Sequence, residues 1–104
     1  MKKENKMFKD IKKLIEYPKE GIISKKIFKE NNIDIGLFCM AKGTNISEHT
    51  STKQGLVYVV EGKGIFNLEG KSIIMKDGVI IFMKEKAIHS LNAEKNTSFL
   101  LVLM

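Results

Sequence analysis

The stretch GTNISEHTSTKQGLVYVVEGKG, residues 43–64, decides how the rest of the chain is read. It opens on a glycine turn and a short extended segment, then passes through a polar loop carrying His49. An alternating apolar strand follows, with the period of two that a half-buried strand requires. Glu61-Gly62-Lys63-Gly64 then reads as a tight hairpin turn.

Working outward, the same punctuation recurs. Strands are expected at 56–60, 65–68, 72–75, 79–83, 88–92 and 98–104, with turns or loops at 61–64, 69–71, 76–78, 84–86 and 94–97. Upstream, strands are expected at 21–29 and 33–40, joined by a turn at Asn31-Asn32. The segment 33–40 is β-branched and aromatic enough to be buried. Many short strands with glycine turns between them indicate an all-β barrel or sandwich. Hairpin geometry accounts for Gly62, Gly64 and Gly70, and no helix start follows any of them to make a phosphate cradle. Before the strands, Met7, Phe8, Ile11, Leu14 and Ile15 form one apolar stripe at helical spacing, which Pro18 ends. A short helix or turn packed on a sheet edge is expected there, and residues 1–6 are expected to fray. The domain reading is an N-terminal arm over 1–19 and a barrel over 20–104, one domain in all.

Composition narrows the function classes. The single Cys39 has no intrachain partner, which suits a reducing cytoplasm. The longest apolar runs are far shorter than a membrane span, and no apolar segment of a signal peptide follows the first lysines. The net charge of +6 comes from 18 lysines, with no arginine in the chain. Ten of those lysines lie in residues 1–30 against five acids, and the remainder is nearly balanced. Specific nucleic-acid readers rely on the bidentate guanidinium of arginine. A solvated lysine surface is therefore expected, with neither nucleic acid nor membrane as partner.

The quoted stretch resembles the first motif of the cupin family, G-x5-H-x-H-x3,4-E-x6-G. Gly43, His49 and Gly62 match it, while Ser51 and Gly55 stand where the family has its second histidine and its glutamate. The segment GVIIFMKEKAIHSLNA, residues 78–93, resembles the second motif, G-x5-P-x-G-x2-H-x3-N. Gly78 and His89 match; Lys84 replaces the proline, Lys86 the second glycine and Ala93 the asparagine, with Asn92 one place early. The likeness spans about residues 20–104, and the run from Ile88 to the C-terminal strand looks like that of small single-domain bacterial cupins. It implies a double-stranded β-helix, a jelly-roll barrel with a short N-terminal helical or extended arm. It also implies a homodimer, joined through sheet faces or an exchanged N-terminal strand.

For chemistry, the resemblance implies a site where three imidazoles and a carboxylate hold divalent iron, manganese, nickel or zinc. Only His49 and His89 are retained as metal ligands, so no tightly bound metal is the preferred expectation. Gln54, Glu48, Cys39 and Met40 are neighbours with donor atoms, and Glu48 is expected to face away from His49 by strand alternation. The ligand pocket is expected to hold His49, Ser51, Gln54, His89 and Tyr58, with Tyr58 either lining the barrel or lying on a dimer face. Cys39 and the methionines are expected to be core. Three functions stay open: a small-molecule binder with a degenerate metal site, a metal-dependent oxygenase or isomerase with replaced ligands, and a structural or regulatory dimer.

Overall fold

The computed structural model describes residues 7–104, so the expectation of fraying at residues 1–6 lies outside the described residues. Among the described residues, nine strands follow one helical turn: α1 (Ile11–Leu14), β1 (Ile22–Glu30), β2 (Ile33–Met40), β3 (Asn45–His49), β4 (Gly55–Glu61), β5 (Lys63–Leu68), β6 (Lys71–Lys76), β7 (Ile80–Met83), β8 (His89–Ala93) and β9 (Thr97–Leu103). They form two antiparallel sheets, one ordered β1-β2-β9-β4-β7 and the other β3-β8-β5-β6. The chain is a jelly roll, all-β as its strand periodicity requires.

The core lies between the sheets. Met40, Val57, Val59, Phe66, Met75, Ile81, Met83, Leu91, Ala93 and Phe99 form one buried cluster. In β4 the alternation is plain: Val57 and Val59 are buried while Tyr58 between them is exposed. β2 shows no such alternation, because both of its faces are covered. Met40 and Phe38 belong to the interior, while Leu37 and Cys39 sit on the outer face under Ile11, Leu14, Ile15 and Tyr17 of the N-terminal arm. Fully buried strands read as continuous apolar runs.

The arm is mostly extended. Helical geometry lasts only from Ile11 to Leu14, Asp10 makes no side-chain cap, and Ile15 is already extended. One isolated turn has too few hydrogen bonds to propagate, so tertiary contacts hold it. Tyr17 Oη donates to Glu61 Oε2 at 2.8 Å, and Lys25 Nζ donates to the Leu14 carbonyl at 2.8 Å. Burial, with the Glu61 carboxylate beside it, pushes the Tyr17 hydroxyl up to about 12.

One turn differs from its sequence reading. Residues 61–64 do not make a hairpin, because β4 and β5 belong to different sheets. Gly62, at φ +122°, turns the chain from one sheet into the other. A Cβ there would stand 2.5 Å from Thr97 Cα and Oγ1, so only glycine lets the corner pass under β9. Gly64 lies close to the Asn92 carbonyl for the same reason of space. Glu69-Gly70 does close a hairpin, between β5 and β6, with both residues at positive φ.

Candidate functional site

His49 ends β3 and His89 begins β8, and the two are paired in register. From the Ile46–Leu91 pair to the His49–His89 pair, β3 takes three steps and β8 takes two. That extra residue is a bulge, and it sets which side chain faces inward. Without it, alternation from inward-facing Ile46 would bring Glu48 to the interior and turn His49 out. With it, the imidazoles meet at 4.1 Å between ring centroids, inclined by 60°. Glu48 is exposed.

The two rings are tied in the same way. His49 Nδ1 lies 2.9 Å from the Ser47 carbonyl, and His89 Nδ1 lies 2.9 Å from the Ala87 carbonyl. A carbonyl oxygen can only accept, so each neutral ring carries its hydrogen on Nδ1 and leaves Nε2 with a bare lone pair. His89 is 6% exposed, whereas His49 is exposed at the mouth. Burial holds the His89 imidazole below its ordinary value; the Ala87 carbonyl opposes this, and the neighbouring His49 adds to it. Its ring also stacks parallel to Phe66, centroids 5.8 Å apart.

Both histidines open on a cavity of about 180 Å³ inside the barrel. Phe38, Phe66 and Phe99 form aromatic walls, and Ile46, Val57, Met83, Leu91 and Leu101 complete it. Phe38 and Phe99, paired across β2 and β9, stack at 5.4 Å. Apart from Met83, expected in the core with the other methionines, none of these wall residues is marked by a motif. Alternation could have flagged them, since each lies on the inward face of its strand.

Of the five expected pocket residues, His49 and His89 line this cavity and the others lie elsewhere. Tyr58 is 42% exposed on the outer face of β4. Gln54 is exposed in a separate surface groove with Asn31, Thr52 and Glu85. Ser51 serves the backbone: its carbonyl accepts from Lys86 N at 2.7 Å, and its Oγ accepts from Lys53 N at 3.2 Å. Cys39 is sealed on the outer face of β2.

The loop before His89 is held by Glu69. Glu69 N donates to the Ile88 carbonyl at 2.9 Å, and Glu69 Oε2 accepts from Ile88 N at 2.6 Å. This double contact ties the β5–β6 hairpin to the residue preceding His89.

The model described as a cupin domain matches residues 36–104. The chain belongs to the cupin family. No curated protein is similar enough to match this cupin. Among solved structures it is similar to a conserved protein of unknown function from Streptococcus pyogenes, at 21% identity and a TM-score of 0.85, covering 97% of this chain and 89% of that one. A cupin superfamily protein from Desulfitobacterium hafniense DCB-2 matches at 18% identity and a TM-score of 0.82, covering 88% and 84%. A salicylate 1,2-dioxygenase mutant from Pseudoaminobacter salicylatoxidans matches at 14% identity and a TM-score of 0.76. That match covers 80% of this chain and 26% of the dioxygenase. At these identities the likeness is one of fold.

The donor set of this cupin does not fit the family's metal site. Among the described residues, no group of three or more His, Cys, Asp or Glu converges on one point. Gly55 stands where the glutamate would be, and the space beyond it is filled. A Cβ on Gly55 would meet Leu103 Cδ2 and the Val102 carbonyl at 3.2 Å and Met83 Cε at 3.3 Å. The carboxylate position has thus been replaced by packed methionine and leucine. Two nitrogens alone leave most of a transition metal's coordination unfilled.

Among the described residues, no helix is long and apolar enough to cross a membrane.

Proposed function

We propose that this cupin binds a small organic molecule in its barrel, using the two imidazoles as polar anchors and no resident metal. One observation carries this reading. The cavity keeps both motif histidines facing inward, while the position of the family's carboxylate, Gly55, is closed by Met83, Leu103 and the Val102 carbonyl. An apolar cavity with a few convergent polar groups is the usual form of a ligand site. Its volume, about 180 Å³, is near that of the engineered 150 Å³ cavity in another protein that takes up benzene. The ligand is therefore compact, about the size of one ring. The reading takes the protein as a cytoplasmic homodimer, supported by its lone buried thiol and by the apolar outer face of β4 and β7.

The test is a thermal-shift screen of ring-sized fragments on tag-free protein, beside elemental analysis of protein purified without chelator. Compounds that bind the folded state raise the melting temperature in proportion to concentration over Kd. The expected result is stabilisation by a subset of fragments and metal content well below one per chain. A stoichiometric metal lost from both His49→Ala and His89→Ala would overturn the reading in favour of a metal-dependent enzyme.

A further inference from the structure

The chemical class of the ligand follows from how the two histidines are tied. Both Nδ1–H groups are already spent on the carbonyls of Ser47 and Ala87. Each neutral ring therefore offers only an acceptor, Nε2, which has no partner among the described residues. Ser98 Oγ is the one fully sealed side-chain polar atom without a partner among them, so His89 Nε2 opens onto free space. Among the ten lining residues there is no lysine, aspartate or glutamate, and no hydroxyl or amide. While both imidazoles are neutral, an anion would enter without a counter-charge, and a cation without a carboxylate. Burying either ion unpaired is far costlier than burying a neutral donor. The walls are aromatic, with Phe66 stacked on His89 and Phe38 on Phe99, and a flat ring packs best against such faces.

We propose that the barrel selects a neutral, single-ring aromatic molecule bearing at least one O–H or N–H donor, a phenol in the simplest case, and that the donor is received by His89 Nε2. His49, exposed at the mouth, is placed to receive a second donor on the same ring. This rests on the reading of the barrel as a binding site and adds what that site discriminates. An apolar ring without a donor would displace water from Nε2 and leave it unpaired, a penalty of about tenfold in affinity.

Phenol, toluene and benzoate are the probes, titrated into the full chain at about pH 7.5. Phenol and toluene share a shape and differ in the donor; benzoate is ionised and has none. In 15N spectra of histidine-labelled wild type, the His89 Nε2 resonance is expected to move with phenol and stay with toluene. The ratio of phenol to toluene affinity is expected to fall about tenfold in His89→Leu. If that variant does not fold, the wild-type spectra and the rank order of the three probes decide alone. An unmoved Nε2 resonance with phenol bound, or an unchanged ratio in the variant, overturns the donor assignment and leaves barrel binding standing. Benzoate binding more tightly than phenol overturns the neutral class in the same way. If none of the three binds, the neutral aromatic class falls, and the fragment screen alone decides the barrel reading.

Discussion

Lys86 holds a backbone angle of φ +65°, at the position where the family's second motif has glycine. The left-handed requirement has survived the loss of the residue suited to it. Lys86 N also donates to the Ser51 carbonyl at 2.7 Å, which links the loop after His49 to the loop before His89. An L side chain at such an angle costs about 1–2 kcal/mol, and glycine's greater loss of freedom on folding returns about 0.5–1 kcal/mol of that. Lys86→Gly is therefore expected to stabilise the protein by up to about 1.5 kcal/mol, seen as a higher urea midpoint at unchanged m. His89 sets a pH dependence of known sign. Burial keeps its folded-state value below the ordinary one, so the unfolded chain takes up that proton first as pH falls. Stability from this residue is complete above about pH 6.5 and is lost progressively as pH drops from there through the folded-state value. Urea midpoints at pH 7.5 and pH 5.5 should differ in wild type and differ less in His89→Leu. An equal difference in the two proteins would assign the effect to other groups.

At the level of strands and turns, Gly62 shows where sequence reading succeeded and where it failed. Its spacing from His49 marked the motif, and that spacing located both the barrel and the histidine pair. What Gly62 does was misread, because a glycine turn after an alternating strand looks alike whether the next strand pairs back or crosses to another sheet. The crossing is decided by β9, whose Thr97 packs against the corner and lies far along the chain from it. The pocket was half legible for a similar reason. Period-two alternation gives two faces of β4, and Tyr58 lies on the outer one; on β3, only the pairing of its bulged end with β8 shows that His49 faces inward. Gln54 was expected as a pocket residue for its nearness to the missing glutamate, but neighbours in an extended chain point apart. Gly62→Ala tests the corner itself. The added methyl would meet Thr97 backbone at 2.5 Å in a left-handed conformation, and a loss of about 3 kcal/mol is expected. A loss under about 1 kcal/mol, measured by urea unfolding, would mean that the corner can shift its path.

Across the whole molecule, the outer face of the larger sheet is covered on one side and bare on the other. The arm lies over β1 and β2, burying Ile27, Leu37 and Cys39. Beyond it, β4 and β7 carry two cross-strand rows: Tyr58 beside Ile80 and Leu100, and Leu56 beside Phe82 and Val102. Tyr58, Ile80 and Phe82 are 42, 63 and 48% exposed, with no charged residue in either row. A stable dimer buries about 800 Å² on each partner. One fully buried aromatic side chain supplies about 150–250 Å², so two rows with an aromatic in each reach that scale only with the flanking aliphatics. A second copy related by a two-fold axis meets these rows with the same rows, and it is the occupant we propose. Light scattering is then expected to give twice the chain mass for wild type and the chain mass for Phe82→Glu. Ile74→Glu, at an exposed position on the other sheet, is expected to keep the dimer. A wild type of single chain mass at about 50 µM would refute the pairing. Loss of the dimer in Ile74→Glu but not in Phe82→Glu would move the interface to the smaller sheet. Phe82→Glu also separates assembly from binding, because Phe82 points away from the cavity. A monomeric variant that still takes up phenol would make the barrel a complete site in each chain.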